Sequence, residues 1–436
     1  MRAADTVAVD DPAFVRFSPR RDLLRCAALY GANASGKSNL VEAMHFAQKS
    51  IIAPPATKDA SIAVQPFRHG ESPNQPSSFE FYLFAAGKVY GYQFLLTRRE
   101  VVFEELTEVS LANPSEEQSI FRRESQHFTF SDELRSSIED PKFLDYLAKG
   151  TRANQLFLNE AHERDLSMLD PVYRWFASTL VIIGPEARYG PLVEEAEREP
   201  RFKEFLREVL EWADTGIVGV DTRRRQLEEP IKKEIDAFRR NKRVRQLLQA
   251  MEGGSRSRDA LIEENGQTEI LSLHFEHRLG TGTEFLDVDD ESDGTLRLLD
   301  LAPMLYFAKE HAVVYVVDEL DRSLHTLLAQ RLVERFILET GANGGDAAPQ
   351  LIFTTHDTNL LDCQRLRPES IWFAEKNRSG ASEFYSLAEY KPEQLNSLCG
   401  NLEKGYLQGR FGGIPFLGDP KRLGWLKHDE PERDKK

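Results

Sequence analysis

Eight residues constrain this chain more than any others: Gly31-Ala32-Asn33-Ala34-Ser35-Gly36-Lys37-Ser38. They fit G-x-x-x-x-G-K-[ST], a loop whose backbone N–H groups turn inward around phosphate oxygens. Gly31 and Gly36 permit the backbone conformations that such an anion nest needs. Asn33, Ala34 and Ser35 contribute intervening N–H groups. Lys37 carries positive charge to the β- and γ-phosphates, and the Ser38 hydroxyl suits a Mg²⁺ ligand. The flanks agree. Leu24 and Cys26 to Tyr30 read as a short buried strand, and Asn39 to Phe46 reads as a helix. A helix N-terminus therefore faces the phosphates. An ordinary glycine turn has no need of that strand and that helix.

Composition bounds the rest. The chain has 436 residues, 41% of them hydrophobic, enough for one large domain or two ordinary ones. Its net charge of −15 excludes a global basic surface for nucleic acid but not a local patch. Cys26, Cys363 and Cys399 lack paired spacing, which suits a reducing cytosol and argues against a disulfide scaffold or zinc ribbon. No apolar run is long enough to span a membrane, and the first residues lack the apolar core of a signal peptide. A cytoplasmic chain without a membrane partner is expected.

The predicted fold class is α/β: a P-loop nucleotide-binding core on a mixed β-sheet, with an antiparallel β meander and an inserted helical lobe. Residues 1–110 are predicted as the N-terminal lobe, with Val7 and Val9 in an edge strand. In its meander Phe79, Phe81 and Leu83 alternate with other side chains. Ala85-Ala86-Gly87-Lys88 turns the chain, and Val89 to Leu96 and Val101 to Phe103 follow. Residues 111–265 read as a charged, mostly helical insertion with apolar islands at Asn154 to Leu158 and Thr179 to Ile183. Within it, Arg223 to Arg245 holds ten Lys or Arg against four acidic residues. That run is either a solvated helical face or a contact for nucleic acid or a partner. Residues 266–417 return to strands and form the C-terminal lobe, and 418–436 is a charged tail.

Three further stretches carry chemistry. Val313-Val314-Tyr315-Val316-Val317 is a buried parallel strand ending in Asp318-Glu319. Acids at the C-terminal end of such a strand lie where ligands bind in α/β folds. Asp318 fits a Mg²⁺ ligand and Glu319 a general base that polarises water. Leu351 to Thr355 is a second such strand, ending in His356, placed to meet the γ-phosphate or the attacking water. Ser292-Asp293-Gly294-Thr295 precedes the helix Leu296 to Tyr306, so Ser292 and Gly294 offer a hydroxyl and free N–H groups to an anion.

This order (P-loop, interruption, S-x-G before a helix, strand-Asp-Glu, strand-His) is similar to that of ABC-type ATPase heads, in their SMC-like, RecF-like and OLD-like branches. The resemblance narrows on Gly31 to Leu40, Ser292 to Thr295, Val317 to His325, Thr354 to Thr358 and Tyr406 to Pro415. Together these resemble the bacterial abortive-infection family of AAA-type ATP-binding proteins, over about residues 20 to 417. The resemblance implies ATP and Mg²⁺ as ligands and a homodimer, or higher homo-oligomer, through the heads. Ser292 and Gly294 of one chain then touch the γ-phosphate held by the other, and Asp321 and Ser323 lie near the seam. It implies a separately encoded effector, nuclease or toxin, in antiphage defence. OLD-like relatives carry a C-terminal nuclease domain, for which the residues after Pro415 are too few. Family members begin with two strands, and the residues before Leu23 are too few for both. Gln155 is the expected Mg²⁺-sensing glutamine, with Gln65 second. The alternative reading is a RecF- or SMC-like repair ATPase that binds DNA ends or gaps through the 223–245 run, with steep salt dependence.

Overall fold

Strands β1 (Phe14–Ser18), β2 (Arg21–Leu24) and β3 (Cys26–Gly31) lead into helix α1 (Lys37–Ile52) in the computed structural model. The structure describes residues 13–18, 21–70, 72–111, 116–140, 142–226, 258–264, 267–342, 349–362, 366–390 and 402–414. After α1 come β4 (Ser77–Ala85), β5 (Lys88–Leu96), β6 (Val101–Val109), β7 (Glu117–Glu124) and β8 (His127–Phe130). A run of short helices precedes β9 (Leu180–Ile183). Then follow β10 (Ile217–Gln226), β11 (Ala260–Glu264), β12 (Gln267–Leu279) and β13 (Gly282–Asp287). The last part holds β14 (Val314–Val317), β15 (Gln350–Thr354), β16 (Ile371–Lys376) and β17 (Ser382–Ser386).

The site is built on a six-stranded sheet of order β17-β16-β3-β15-β14-β9. All neighbours are parallel except β16 and β17. Parallel strands need a crossover, and the helix Thr326–Ala342 supplies it between β14 and β15. Every residue of β3 is buried, as expected for a strand covered on both faces. The sheet divides two hydrophobic cores. In β14, Tyr315 and Val317 point into one and Val316 into the other. Parallel alignment gathers the C-terminal ends of β3, β14 and β15 on one edge. Leu29 lies opposite Thr354 there, and Phe353 opposite Val317.

Strands β4 to β8 form an antiparallel meander in sequential order. Its first turn has positive φ at Ala86 (49°) and Gly87 (79°), the two-residue hairpin geometry that matches strand twist. The expected lobe boundary at residue 110 falls between β6 and β7, which are hydrogen-bonded neighbours from Phe103↔Glu124 to Val109↔Glu117. The 111–265 segment is therefore not one helical insertion: β7 and β8 complete the meander, β9 closes the central sheet, and β10 pairs with β12. The misreading has a physical source. Strand β7 buries Ile120, Phe121 and Arg123 and exposes Gln118, Arg122 and Glu124, so it reads as polar sequence. Buried Arg123 is neutralised by buried Glu104 at 3.6 Å, and Glu104 also accepts from Tyr92 and from the amides of Phe157 and Leu158.

The chain also does have two strands before β3, which pair antiparallel as a separate ribbon. Val7, Val9, the 418–436 tail and all of the basic run beyond Gln226 lie outside the described residues. Of that run, Arg223 stacks over Phe285 and Arg224 pairs with Glu197 and Glu269. No helix among the described residues is long and apolar enough to cross a membrane.

Candidate functional site

Strand β3 delivers the loop and α1 receives it. Gly31 is buried and a Cβ there would lie 2.6 Å from the Ala374 carbonyl oxygen, so only glycine fits beside β16. Gly36 has φ of 107° and faces Ser382 and Lys376 of the β16–β17 hairpin, a second position closed to side chains. Ala34 takes the left-handed conformation at φ 63°, which tightens the loop. The first turn of α1 has no acidic residue and no side-chain cap, which leaves its N–H groups to an anion. Lys37 is buried, and its Nζ donates to the carbonyls of Gly31 at 2.8 Å and Ala32 at 3.3 Å. Burial lowers the Lys37 pKa, while Asp318, Glu319 and Asp321 favour its proton.

The acids sit where β14 ends. Ser38 Oγ donates to Asp318 Oδ1 at 3.3 Å, and Thr354 Oγ1 donates to the same oxygen at 2.6 Å. The Glu319 amide in turn donates to Thr354 Oγ1 at 2.8 Å. Glu319 has φ of 50°, unusual for a residue with a side chain. His356 follows β15 by two residues, and its amide donates to Asp321 at 3.4 Å. Ser292 caps the helix Asp293–Phe307 by accepting from the Thr295 amide at 3.1 Å, and it is exposed. Gly294 lies against Ser323: a Cβ there would be 2.8 Å from the Ser323 carbonyl. The P-loop, Asp318-Glu319, Thr354 and His356 thus share one edge, and the Ser292–Gly294 loop adjoins it through Ser323.

Partial burial and the Lys37 charge push the His356 imidazole below its ordinary 6.5, against the opposing pull of Asp321, Glu319 and Asp318. The unfolded chain takes this proton near 6.5 and the folded chain resists it. The neutral ring's contribution to stability is thus complete above 6.5 and is lost as pH falls from 6.5 through the lowered value. An NMR titration of the nucleotide-free protein should find His356 below 6.5, and a value above it would contradict the placement beside Lys37.

Gln155 does not join this edge. It is buried, its amide nitrogen donates to Asn159 and Glu160, and its carbonyl accepts from Arg152 at 3.0 Å. These bonds engage the Gln155 amide on the meander side, so it does not serve the Mg²⁺ role expected of it. Gln65 is exposed and lines a cavity of about 780 Å³ with Asn39, Glu42, Phe46, Phe67 and Lys376, flanking the first turns of α1. A cavity of about 810 Å³ lies elsewhere, between β9 and the helix Asp293–Phe307, and none of the site residues lines it.

Sequence reasoning missed several members. Thr354 precedes the expected His by two positions, and its hydroxyl joins both acids. Arg297 is a lone cation in an apolar helix. The C-terminal motif closes over the loop: Tyr406 donates to the Gly413 carbonyl at 2.9 Å, and Gly413 packs on Gly31. Gly409, Gly412 and Gly413 have φ of 74°, 68° and 63°, which explains the glycines of that motif. Pro415 lies outside the described residues.

Two observations test the fit to a nucleotide with Mg²⁺. Ser35 Oγ is buried in the loop without a hydrogen-bond partner, an orphan that a phosphate oxygen would satisfy. Ser38 and Asp318 place two oxygens in contact, the protein share of a Mg²⁺ shell completed by phosphates and water.

Among solved structures, the chain is similar to the SMC head domain from Thermotoga maritima, at 15% identity and TM-score 0.29, over 86% of this chain and 95% of that one. It is also similar to a Smc head bound to the C-winged helix domain of ScpA, at 13% identity and TM-score 0.33, over 88% and 97%. A third is the Smc head with an extended coiled coil bound to the C-terminal domain of ScpA, derived from Pyrococcus furiosus, at 13% identity and TM-score 0.32, over 89% and 97%. No curated protein matches the chain. A family model matches residues 26–362, from the start of β3 to beyond His356. The chain belongs to that family, described as "AAA domain, putative AbiEii toxin, Type IV TA system".

Proposed function

We propose that this protein hydrolyses ATP between two copies of itself and uses the nucleotide to switch a defence response. The convergence of Ser38, Asp318, Glu319 and His356 on one sheet edge, with Ser292 exposed next to it, carries this reading. The N–H groups of Gly31 to Ser38, with Asn39 beyond them, hold the phosphates, and Lys37 neutralises them. The cavity beside Asn39 and Phe46 seats the nucleoside. Ser38 and Asp318 would hold Mg²⁺, which when bound draws charge from the β- and γ-phosphates. Glu319 takes the proton of the attacking water, and neutral His356 hydrogen-bonds the γ-phosphate. Ser292 and Gly294 reach the nucleotide of the second copy, with Asp321 and Ser323 at the seam.

Hydrolysis removes the γ-phosphate that both copies share, so its output is the opening of the dimer. The family description names a toxin–antitoxin system. On this reading the chain is a cytoplasmic sensor subunit beside a separately encoded toxin or nuclease in abortive infection. Ser292→Arg tests the shared site. The substitution fills the exposed cap, so ATP turnover should fall by about 10²-fold while each chain still binds nucleotide. Phosphate release and sedimentation with ATP measure both. Unchanged turnover in a monomeric variant would place the whole site in one chain.

A further inference from the structure

The sequence Leu296-Arg297-Leu298-Leu299-Asp300-Leu301 sets a cation among the leucines of its helix. Arg297 is only 5% exposed, yet no carboxylate among the described residues takes its guanidinium. It donates instead to three backbone carbonyls: Gly184 at 3.1 Å, Asp318 at 3.2 Å and Glu319 at 3.1 Å. A planar fork of fixed donors suits this better than any other side chain. The peptides it grips belong to the two acids of the site.

Glu319 needs that grip. With φ of 50° its backbone adopts a conformation that side-chain residues rarely keep unless their surroundings impose it. Its amide is held by Thr354 Oγ1 at 2.8 Å. Its carbonyl is held by Arg297 at 3.1 Å and by the Arg322 amide, also at 3.1 Å. Arg297 sits on the same helix as Ser292 and Gly294, less than two turns on, and Gly294 packs on Ser323 just past the acids. One rigid helix therefore touches the Asp318–Ser323 turn at both places and presents its N-terminal cap to solvent.

We infer that Arg297 is a positioning residue: it holds the Glu319 backbone in the orientation that hydrolysis requires and links it to the Ser292–Gly294 loop of the same chain. Contact of that loop with a second copy's nucleotide is then felt at the chain's own Glu319, which gives the two sites a mechanical reason to fire together. The inference rests on the ATPase reading above.

Arg297→Gln and Arg297→Lys test it, with phosphate release for turnover and fluorescent mant-ATP for binding. Arg297→Gln should lose about 10- to 100-fold in kcat, because a small misplacement of a catalytic group has that effect. The mant-ATP Kd should stay within about twofold of wild type, a split that general loss of structure would not give. Arg297→Lys retains a charged donor and should recover part of the rate. A wild-type kcat in Arg297→Gln, with Glu319→Gln inactive, overturns the positioning role alone. Parallel loss of binding, thermal stability and turnover in both Arg297 variants also overturns it, in favour of a packing role. Bound mant-ATP without turnover in the wild-type chain overturns the ATPase reading, and this inference with it.

Discussion

Glu319→Gln should give a protein that binds ATP, stays dimeric and turns over about 10²- to 10⁴-fold more slowly than wild type, the usual loss on removing a general base. Glutamine keeps the size and the hydrogen-bonding oxygen of glutamate but cannot take a proton. The backbone clamp on Glu319 from Thr354 and Arg297 is untouched by the change, because both partners hold main-chain atoms. Asp318 keeps its bonds to Ser38 and Thr354 as well. Binding should therefore survive while the barrier to chemistry rises, by about 3 to 5 kcal/mol at 1.36 kcal/mol per tenfold. Analytical ultracentrifugation with ATP, run beside phosphate release, reads both consequences. Wild-type phosphate release from this variant would remove Glu319 from the chemistry. A monomer with ATP bound would remove the shared site.

Lys37→Met should abolish nucleotide binding at ordinary concentrations while leaving the fold intact. Methionine keeps an unbranched apolar stem in the space the lysine carbons fill. The ammonium is lost, and with it the charge-assisted bonds to phosphate. A hydrogen bond to a charged group is worth about 1.5 to 3 kcal/mol, which is roughly 10- to 150-fold in affinity. Asp318, Glu319 and Asp321 favour the Lys37 charge, so its loss leaves three acids facing the triphosphate. Their repulsion adds to the loss. Thermal unfolding should show a midpoint near that of wild type without nucleotide, and no rise when ATP is added. A full ATP-induced rise in Tm would mean that the triphosphate sits elsewhere.

The two variants probe halves of the site that differed in how readable they were. Everything local was legible. Gly31 and Gly36 are demanded by φ and by the backbone of β16, and a pattern of glycines at fixed spacing records such demands directly. Strands β3, β14 and β15 are short apolar runs with special residues at one end, because a strand covered on both faces leaves only its ends for chemistry. Asp318, Glu319 and His356 were found for that reason. The two-residue turn at Ala86-Gly87 was found because its φ values restrict composition.

What failed was non-local. Strand β7 was hidden because its buried face includes an arginine, and Glu104 on the neighbouring strand, with the carbonyls of Ser125, Arg152 and Gln155, makes that burial tolerable. Gln155 was misassigned because an amide before an apolar run looks the same whether it meets a metal or a carboxylate. Its bonds to Asn159 and Glu160 exist only once the helix after it has formed.

From the sequence alone came a phosphate loop, two acids, a histidine and a helix cap, each with its chemistry. Backbone geometry and strand burial write themselves into residue type, so the order of these elements along the chain was legible too. The tertiary structure alone decided what holds those residues together on one sheet edge. Thr354 joins the two acids, Arg297 reaches from the Ser292 helix to the carbonyls behind them, and Gly413 closes on Gly31. Those contacts are made by hydroxyls, a guanidinium and bare backbone whose partners lie far along the chain. No local pattern can specify a partner that only folding brings near.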